Sequence, residues 1–199
     1  MVMISLDAKH ELIRRQEEIL AFDMAKQVIE KPKASIWIIF MPIFFVFQAQ
    51  KIQKYKKSVR EFAKGFMHTK LLALDAALDE ARTGKLSSSY KEAAGDGSAY
   101  RPENAQIRNK QILEIGVLKE HYLLLLRSQG ETYPELLRNA YTTAGAYLFF
   151  LNRLLKAEEE VNKAVIDSHH STPEAREVVV RMEKVADKLR EKEMREVFP

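Results

Sequence analysis

The chain has 199 residues, of which 46% are apolar and 30% are charged, and its formal net charge is +4. This size and composition are typical of a globular domain with enough apolar residues for a sizeable core. Seven glycines and six prolines are too few for an all-β protein with many tight turns. The sequence contains no cysteine, which excludes disulfides, thiolate zinc sites and a cysteine nucleophile.

Residues 1–33 predict an N-terminal amphipathic helix. Apolar side chains recur at helical spacing from Leu12 to Val28, as on one face of a helix. Asp7 is the expected N-cap, and Pro32 is expected to end the helix. Basic and acidic residues balance over this stretch without a long apolar run, which argues against a secretory signal peptide.

The most unusual stretch is the apolar segment, residues 34–47, with the sequence ASIWIIFMPIFFVF. As a helix it would be about 21 Å long, shorter than the hydrocarbon core of a bilayer at about 30 Å. Pro42 predicts a kink in its middle. Such a segment is typical either of a re-entrant or interfacial membrane element or of a helix buried in a soluble bundle. The uncharged stretch between Lys33 and Lys51 would be about 25 Å long and could just span a bilayer if lysines at both ends snorkelled to the headgroups. On the membrane interpretation, the residues in contact with lipid are Trp37, Ile38, Ile39, Phe40, Pro42, Phe44, Phe45 and Phe47.

Residues 48–83 predict one long basic helix that ends at Gly84. Its apolar residues form a heptad seam typical of a coiled coil, which requires a partner helix from this chain or from a second copy. The seam comprises Ile52, Tyr55, Val59, Phe62 and Phe66.

The positive charge of the protein is concentrated in this helix. Residues 48–70 contain seven basic residues and one acidic residue, whereas residues 1–33 are neutral and residues 71–199 carry a net charge of −2. Basic residues beside anionic lipid headgroups each contribute about 1 kcal/mol to membrane binding. This polybasic flank therefore favours the membrane interpretation of the apolar segment. The expected headgroup contacts are Lys51, Lys54, Lys56, Lys57 and Arg60.

The remainder of the chain predicts a flexible loop over 84–102 and a three-helix part over 103–199. The first of these helices spans 103–128, with Ile107, Leu113, Ile115, Leu118, Tyr122 and Leu125 facing inward. The second begins at the N-cap Thr132, ends near His169 and contains a small-residue patch for close packing at 142–146. The third begins with a capping box formed by Ser171 and Glu174. No strand pattern is present, so the fold class is all-α, a bundle of about five long helices with a kinked apolar segment near the N-terminal third.

No motif in the chain indicates catalysis or a bound metal or cofactor. His10 and Glu11 begin like a zinc-protease motif but lack its second histidine, and no glutamate has a histidine three residues later, as di-iron bundles require. His169 and His170 are expected to favour the negative end of a helix dipole. Two acidic groups, the pair Asp75 and Asp79 and the run 158–160, are expected to face solvent.

The sequence therefore favours a non-enzymatic, membrane-associated helical interaction or scaffold protein. We expect it on the cytoplasmic side of the membrane, peripheral or monotopic, with anionic lipid and either a protein partner or a second copy as its partners. The alternative is a soluble cytoplasmic adaptor or structural subunit of a larger complex, with the apolar segment in its core. Nucleic acid is disfavoured because the aromatic residues lie on the seam, not among the lysines. No small-molecule substrate is indicated, and an enzyme with an unrecognised site is the third alternative.

Overall fold

Six helices make up the described part of the chain. The structure, a computed structural model, describes residues 4–31, 43–87, 105–167 and 172–199. The helices are α1 (Leu6–Val28), α2 (Ile43–Thr83), α3 (Ala105–Arg127), α4 (Tyr133–Tyr141), α5 (Ala144–Asp167) and α6 (Pro173–Val197). No strand occurs within these ranges, so the prediction of an all-helical bundle is confirmed. The kink predicted at Pro42 lies outside the described residues and stays a prediction.

Side-chain pairs define the relative directions of the long helices. α1 runs antiparallel to α2, because Asp7 pairs with Arg82 near one end and Glu17 pairs with Lys70 further along. α1 also runs antiparallel to α3, because Lys9 reaches the carbonyl oxygen of Ser128 whereas Glu17 meets Tyr122. Consequently α2 and α3 run in the same direction, although they are consecutive in the chain.

The other two long helices complete the bundle, with α5 packed on α3 and α6 packed on α1 and α5. α5 runs antiparallel to α3, since Lys110 pairs with Glu160 and Glu120 pairs with Arg153. α6 runs antiparallel to α5, since Tyr147 donates a hydrogen bond to Glu193 at one end and Asn162 donates one to Glu183 towards the other. The N-terminal half of α6 closes the bundle against α1, where Arg181 donates to the carbonyl oxygen of Val28.

The prediction of one helix from Thr132 to near His169 is wrong, because the chain breaks between α4 and α5. Thr142 has a φ of 55°, which ends α4 after Tyr141. The short helix α4 buries Tyr133, Leu136, Leu137 and Tyr141 across one end of the bundle. α5 instead buries Tyr147, Leu151 and Leu154 along its length. One continuous helix cannot both cross the end of the bundle and lie along α3.

The prediction that small residues at 142–146 pack closely against another helix is also wrong. All five residues are exposed, and a methyl group added at Gly145 would meet no atom within 4 Å. The small side chains therefore reflect the turn between α4 and α5, which faces solvent, and not the close approach of another helix.

The inward face of α3 differs in part from the predicted one. Ile115, Leu118, Tyr122 and Leu125 are buried as predicted, but Leu113 is 63% exposed and Ile107 is only half-buried. His121 takes a buried position instead. Leu113 lies on the outer side of α3 because α1 and α2 pack against its opposite side, and the sequence spacing alone could not distinguish these two faces.

The helix ends agree only in part with the predicted signals. The N-cap of α1 is Ser5, whose hydroxyl oxygen accepts from the amide of Ala8, so the prediction of Asp7 is wrong. Gly84 ends α2 with a φ of 68°, as predicted. Ser171 and the side chain of Glu174, the predicted capping box, lie outside the described residues. Most of the loop predicted over 84–102 lies there as well.

Among the described side chains, the contact of α2 with α1 begins at Tyr55. Ala25, near the end of α1, belongs to the same apolar cluster as Val59, and the side chains of Ile29 and Tyr55 lie against that cluster. Residues 43–54 of α2 therefore continue for about 18 Å past the end of α1. This extension connects the apolar segment to the bundle.

Candidate functional site

The predicted headgroup residues form an exposed basic surface on α2, called here the basic arm. Lys51, Lys54, Lys56, Lys57 and Arg60 are all exposed. At 100° per residue, the seam residues of α2 fall within an arc of about 80°, and the five cations occupy the remaining circumference. The arm therefore presents its charge in several directions around the extended end of α2.

The apolar side of the same helix segment holds the basic arm on the bundle. Val59 is buried and Tyr55 and Phe62 are partly buried, in an apolar cluster with Ala21 and Ala25 of α1. The heptad seam of α2 thus pairs with α1 of the same chain over its central part. Ile52 is 39% exposed, which places it beyond the end of that contact.

The side chains of the predicted lipid-contacting residues lie outside the part of the chain that the structure describes. Trp37, Ile38, Ile39, Phe40 and Pro42 lie outside the described residues, and for Phe44, Phe45 and Phe47 only the helical backbone of α2 is described. Among the helices of the described ranges, none is both long and apolar enough to cross a bilayer.

Lys70, which sequence counting includes in the polybasic stretch, belongs to the interior. Its Nζ lies 2.7 Å from Oε2 of Glu17, and both side chains are 8% exposed. The ammonium also lies 5.1 Å from the centre of the Phe66 ring. The hydroxyl of Tyr122 donates to the second carboxylate oxygen of Glu17 at 2.8 Å. This buried triad joins α1, α2 and α3 through one carboxylate.

Ionisation of the triad is set by a balance between burial and partners. Burial opposes the charged form of Glu17, but the Lys70 ammonium and the Tyr122 hydroxyl hold its pKa below the ordinary value. Burial raises the pKa of the Tyr122 hydroxyl, and the Glu17 carboxylate raises it further. Glu17 and Lys70 are therefore an ion pair, with Tyr122 as a neutral donor.

His121 lies next to this triad as a neutral ring. Burial lowers the pKa of His121 to about 3, against the attraction of the Glu17 carboxylate. Its Nδ1 lies 2.7 Å from the Tyr141 hydroxyl, and its ring stacks on Phe150 with centres 4.1 Å apart. These contacts are those of a packed core histidine that ties α3 to α4 and α5.

Two further carboxyls, both partly buried, form no ion pair within the described residues. Burial raises the pKa of Glu193, although the hydroxyl of Tyr147 donates to it. Burial, with the nearby Glu158 carboxylate, raises the pKa of Glu114 to about 7. Glu114 lines a cavity of about 180 Å³ between α2, α3, α5 and α6. At neutral pH it is therefore divided between its charged and uncharged forms.

The acidic groups that the sequence placed in solvent mostly have partners. Both carboxylate oxygens of Glu158 lie 2.6 Å from Nη2 of Arg190, and the Glu158 side chain is 19% exposed. Asp75 is exposed as expected, and one of its oxygens lies 2.9 Å from His10 Nε2 of α1. Within the described ranges, no group of three His, Asp or Glu residues is arranged to hold a metal ion. His169 and His170 lie outside those ranges.

Sequence reasoning missed the buried triad, although a signal for it exists. Glu17 and Lys70 both interrupt apolar stripes, since Glu17 is spaced by four residues from Ile13 and Ala21, and Lys70 adjoins Leu71 and lies four residues before Leu74. A charged residue at an inward position predicts a buried partner, because an unpaired charge is rarely tolerated in a core. The partner itself cannot be read from the spacing.

The fold and these surfaces define an all-α bundle with a charged interior and a basic extension. No protein-family model matches the chain, and no curated protein or solved structure is significantly similar to it.

Proposed function

We propose that this protein is a membrane-associated helical scaffold, in which the apolar segment 34–47 contacts lipid and the basic arm of α2 binds anionic headgroups. The observation that carries the proposal is the exposure of all five arm cations on the part of α2 that leads directly from the apolar segment. The bundle is the part that would engage other proteins. The protein would lie on the cytoplasmic face of the membrane, where anionic lipids are concentrated.

The geometry of α2 supports this arrangement. Residues 43–47 of its first three turns belong to the apolar segment, and residues 48–54 add about 10 Å between that segment and the end of α1. The apolar segment can therefore reach a membrane without the bundle itself being buried in lipid. The remaining turns are fixed by the cluster that contains Val59 and Met67. A rigid helix with one end in the bundle would hold the bundle at a fixed distance from the membrane.

The charges of the arm suffice for electrostatic attachment. Five cations at about 1 kcal/mol each give about 5 kcal/mol of attraction to an anionic surface. Stable anchoring requires a second contribution, which the apolar segment would supply. Because Lys70 pairs with Glu17, it adds nothing to this sum.

Trp37, the single tryptophan, reports directly on the proposed contact. Its emission would be followed while vesicles of phosphatidylserine and phosphatidylcholine are added to the full chain, first at low and then at high salt. A blue shift that requires the anionic lipid and weakens at high salt is expected. An emission maximum that is already blue in buffer and does not respond to lipid contradicts the proposal and supports the soluble adaptor, with the apolar segment in its core.

Charge reversal tests the arm separately. The variant carries glutamate at Lys51, Lys54, Lys56 and Lys57, and its affinity for the vesicles should fall by about 1000-fold or more, because each lost attraction contributes about 1 kcal/mol. A matched control reverses four exposed cations of α6 and should lose far less affinity. These control positions are Lys184, Lys188, Lys192 and Arg195. Equal losses in both variants would show that only net charge matters and that the arm is not a specific contact.

A further inference from the structure

The outer face of α3 and α5 carries apolar side chains that a folded monomer would normally bury. Leu113 is 63% exposed, Leu124 is 46% exposed and Phe149 is 67% exposed. They line one strip, because Leu113 and Leu124 lie on the side of α3 that faces outward beside α5, and Phe149 follows the same side of α5. Contiguous exposed apolar surface of this kind marks an interaction site more often than scattered exposed residues do.

A groove between the two helices continues this strip, and charges flank it. The groove encloses about 550 Å³ and is lined by Leu113, Gly116 and Val117 of α3 and by Ala157 of α5. Two ion pairs cross it at different levels. Lys110 meets Glu160 at 2.6 Å, and Glu120 meets Arg153 at 2.8 Å. Each level therefore carries one cation and one anion, on opposite helices.

The charges and apolar side chains on this face are arranged so that the face of one copy fits the same face of a second copy. A two-fold axis parallel to the helices would place α3 of one copy over α5 of the other, at the same level. Lys110 would then face Glu160 of the second copy, and Glu120 would face Arg153. By the same operation Leu124 would meet Phe149, since the antiparallel register that pairs 120 with 153 also brings 124 level with 149. The apolar groups Leu124 and Phe149 therefore meet, and the charges of both ion pairs meet their opposites, whereas Lys156, which also lines the groove, belongs to neither pair.

We propose that this α3–α5 face is the interface of a homodimer, in which α3 and α5 of two copies form a central four-helix bundle. Neighbouring helices in that bundle are antiparallel all round, as in common four-helix bundles. The interface is isologous, with the same residues contributed by each copy. The face spans about 20 Å along two helices, so the interface is of modest size and the expected dissociation constant is micromolar.

The direction of the two-fold axis has a further consequence for the basic arms. Because the axis is parallel to the helices, both copies of α2 point the same way, and both arms lie at the same end of the dimer. Two arms on one surface bind with higher avidity than one. The dimer itself rests on the α3–α5 face alone, so it is tested without lipid and its failure is distinct from failure of the membrane proposal.

The first test is the mass of the wild-type chain in solution. Sedimentation or light scattering over about 1–100 μM, the range of a micromolar interface, should show a monomer converting to a dimer. Phe149→Glu should raise the dissociation constant by about 30-fold or more, as expected for an aromatic anchor of an interface. Ile19→Glu is the matched control, because Ile19 is 57% exposed but lies on α1, and it should leave the dimer unchanged. A monomer at all these concentrations, or a dimer that Phe149→Glu does not weaken, overturns the proposal.

A second test uses charge and does not depend on any one apolar side chain. One variant makes the face wholly negative, by Lys110→Glu, Arg153→Glu and Lys156→Glu, since Lys156 also lines the groove. The other makes it wholly positive, by Glu120→Lys and Glu160→Lys. Each should be monomeric alone, and the equimolar mixture should dimerise, because unlike charges then meet across the interface. A mixture that stays monomeric while the wild type dimerises would show that another face makes the dimer.

A third test fixes the orientation, using the absence of native cysteine. Chains carrying Leu124→Cys are mixed with chains carrying Phe149→Cys under mild oxidation. A disulfide-linked pair of the two different chains is expected, since these positions are level across the proposed axis. Efficient linkage of Leu124→Cys chains only to each other would contradict the parallel axis.

Discussion

Replacement of Lys70 by methionine tests the buried triad most directly. Lys70→Met keeps much of the volume of the side chain but removes the ammonium that lies 2.7 Å from Glu17. Among the described residues, Glu17 then retains the hydrogen bond from Tyr122 alone. A carboxylate in the core would be left without a compensating charge, which is one of the few single changes that destabilise a protein severely.

The loss of stability expected for Lys70→Met follows from two opposing contributions, the attraction within the ion pair and the cost of burying its charges. At 2.7 Å and an effective dielectric constant of about 20, the attraction in the ion pair is about 6 kcal/mol. Transfer of the two ions from water costs several kcal/mol each, so the intact pair contributes little net stability. Its disruption removes the attraction but leaves the Glu17 carboxylate buried, and a loss of about 4 kcal/mol in the free energy of unfolding is expected.

The stability deficit of Lys70→Met should change with pH in a definite direction. In the wild type the pKa of Glu17 is lowered below 4.5, so the stability that this carboxylate contributes is present above pH 4.5 and is lost as the pH falls through the folded pKa. Without Lys70, burial raises the pKa of Glu17 above 4.5. The deficit of Lys70→Met should therefore be largest near pH 7 and should shrink as the pH falls towards 4.

Urea unfolding of the purified variants, followed by circular dichroism at several pH values, measures their free energies of unfolding. The double variant Glu17→Gln with Lys70→Met should recover to within about 1 kcal/mol of the wild type, because no charge remains buried. The control Lys26→Met breaks an exposed pair with Asp23 at 3.3 Å and should change stability by less than about 1 kcal/mol. If Lys70→Met costs no more than this control, or if its deficit does not depend on pH, the triad is not buried as described.

Four further outcomes are expected. Leu136→Ala, at a fully buried position of α4, should lower the free energy of unfolding by about 3 kcal/mol in urea titrations, and Leu124→Ala on the surface by less than about 1 kcal/mol. Thr142→Gly should raise the melting temperature, because a β-branched residue is strained at a φ of 55° and relief of that strain is worth about 1 kcal/mol; a lower melting temperature would contradict this. The pKa of His121 is lowered to about 3 from 6.5, so the wild type loses stability as the pH falls from 6.5 to 3, and His121→Phe should flatten that decline. The pKa of Glu114 is raised from 4.5 to about 7, so its uncharged form stabilises the fold below pH 4.5 and that stability is lost as the pH rises through 7. Glu114→Gln should therefore be more stable than the wild type at pH 8, by up to about 3 kcal/mol, and equal to it at pH 4; equal stability at both values would refute the raised pKa.

The outline of the fold follows from local patterns in the sequence. Apolar spacing locates the five long helices, because a helix that buries one side must repeat its apolar residues with the helical period. Gly84 marks the end of α2, because a left-handed residue at that point strongly favours glycine. The basic arm is also readable, because exposure of lysines on a helix follows from the position of the apolar stripe on the opposite side.

Other features depend on which helices meet, and no local spacing encodes that. Glu17 and Lys70 are separated by 53 residues, so each alone resembles a surface charge near an apolar stripe. Likewise, Leu113 satisfies the helical spacing of a core residue, but α1 and α2 pack against the other side of α3. The break at Thr142 arises because α4 must close the end of the bundle while α5 lies along its side. The sequence by itself therefore determined where helices form and where positive charge accumulates. Only the tertiary structure decided which charges are buried and which apolar side chains stay exposed, because burial depends on neighbours that are distant in the chain.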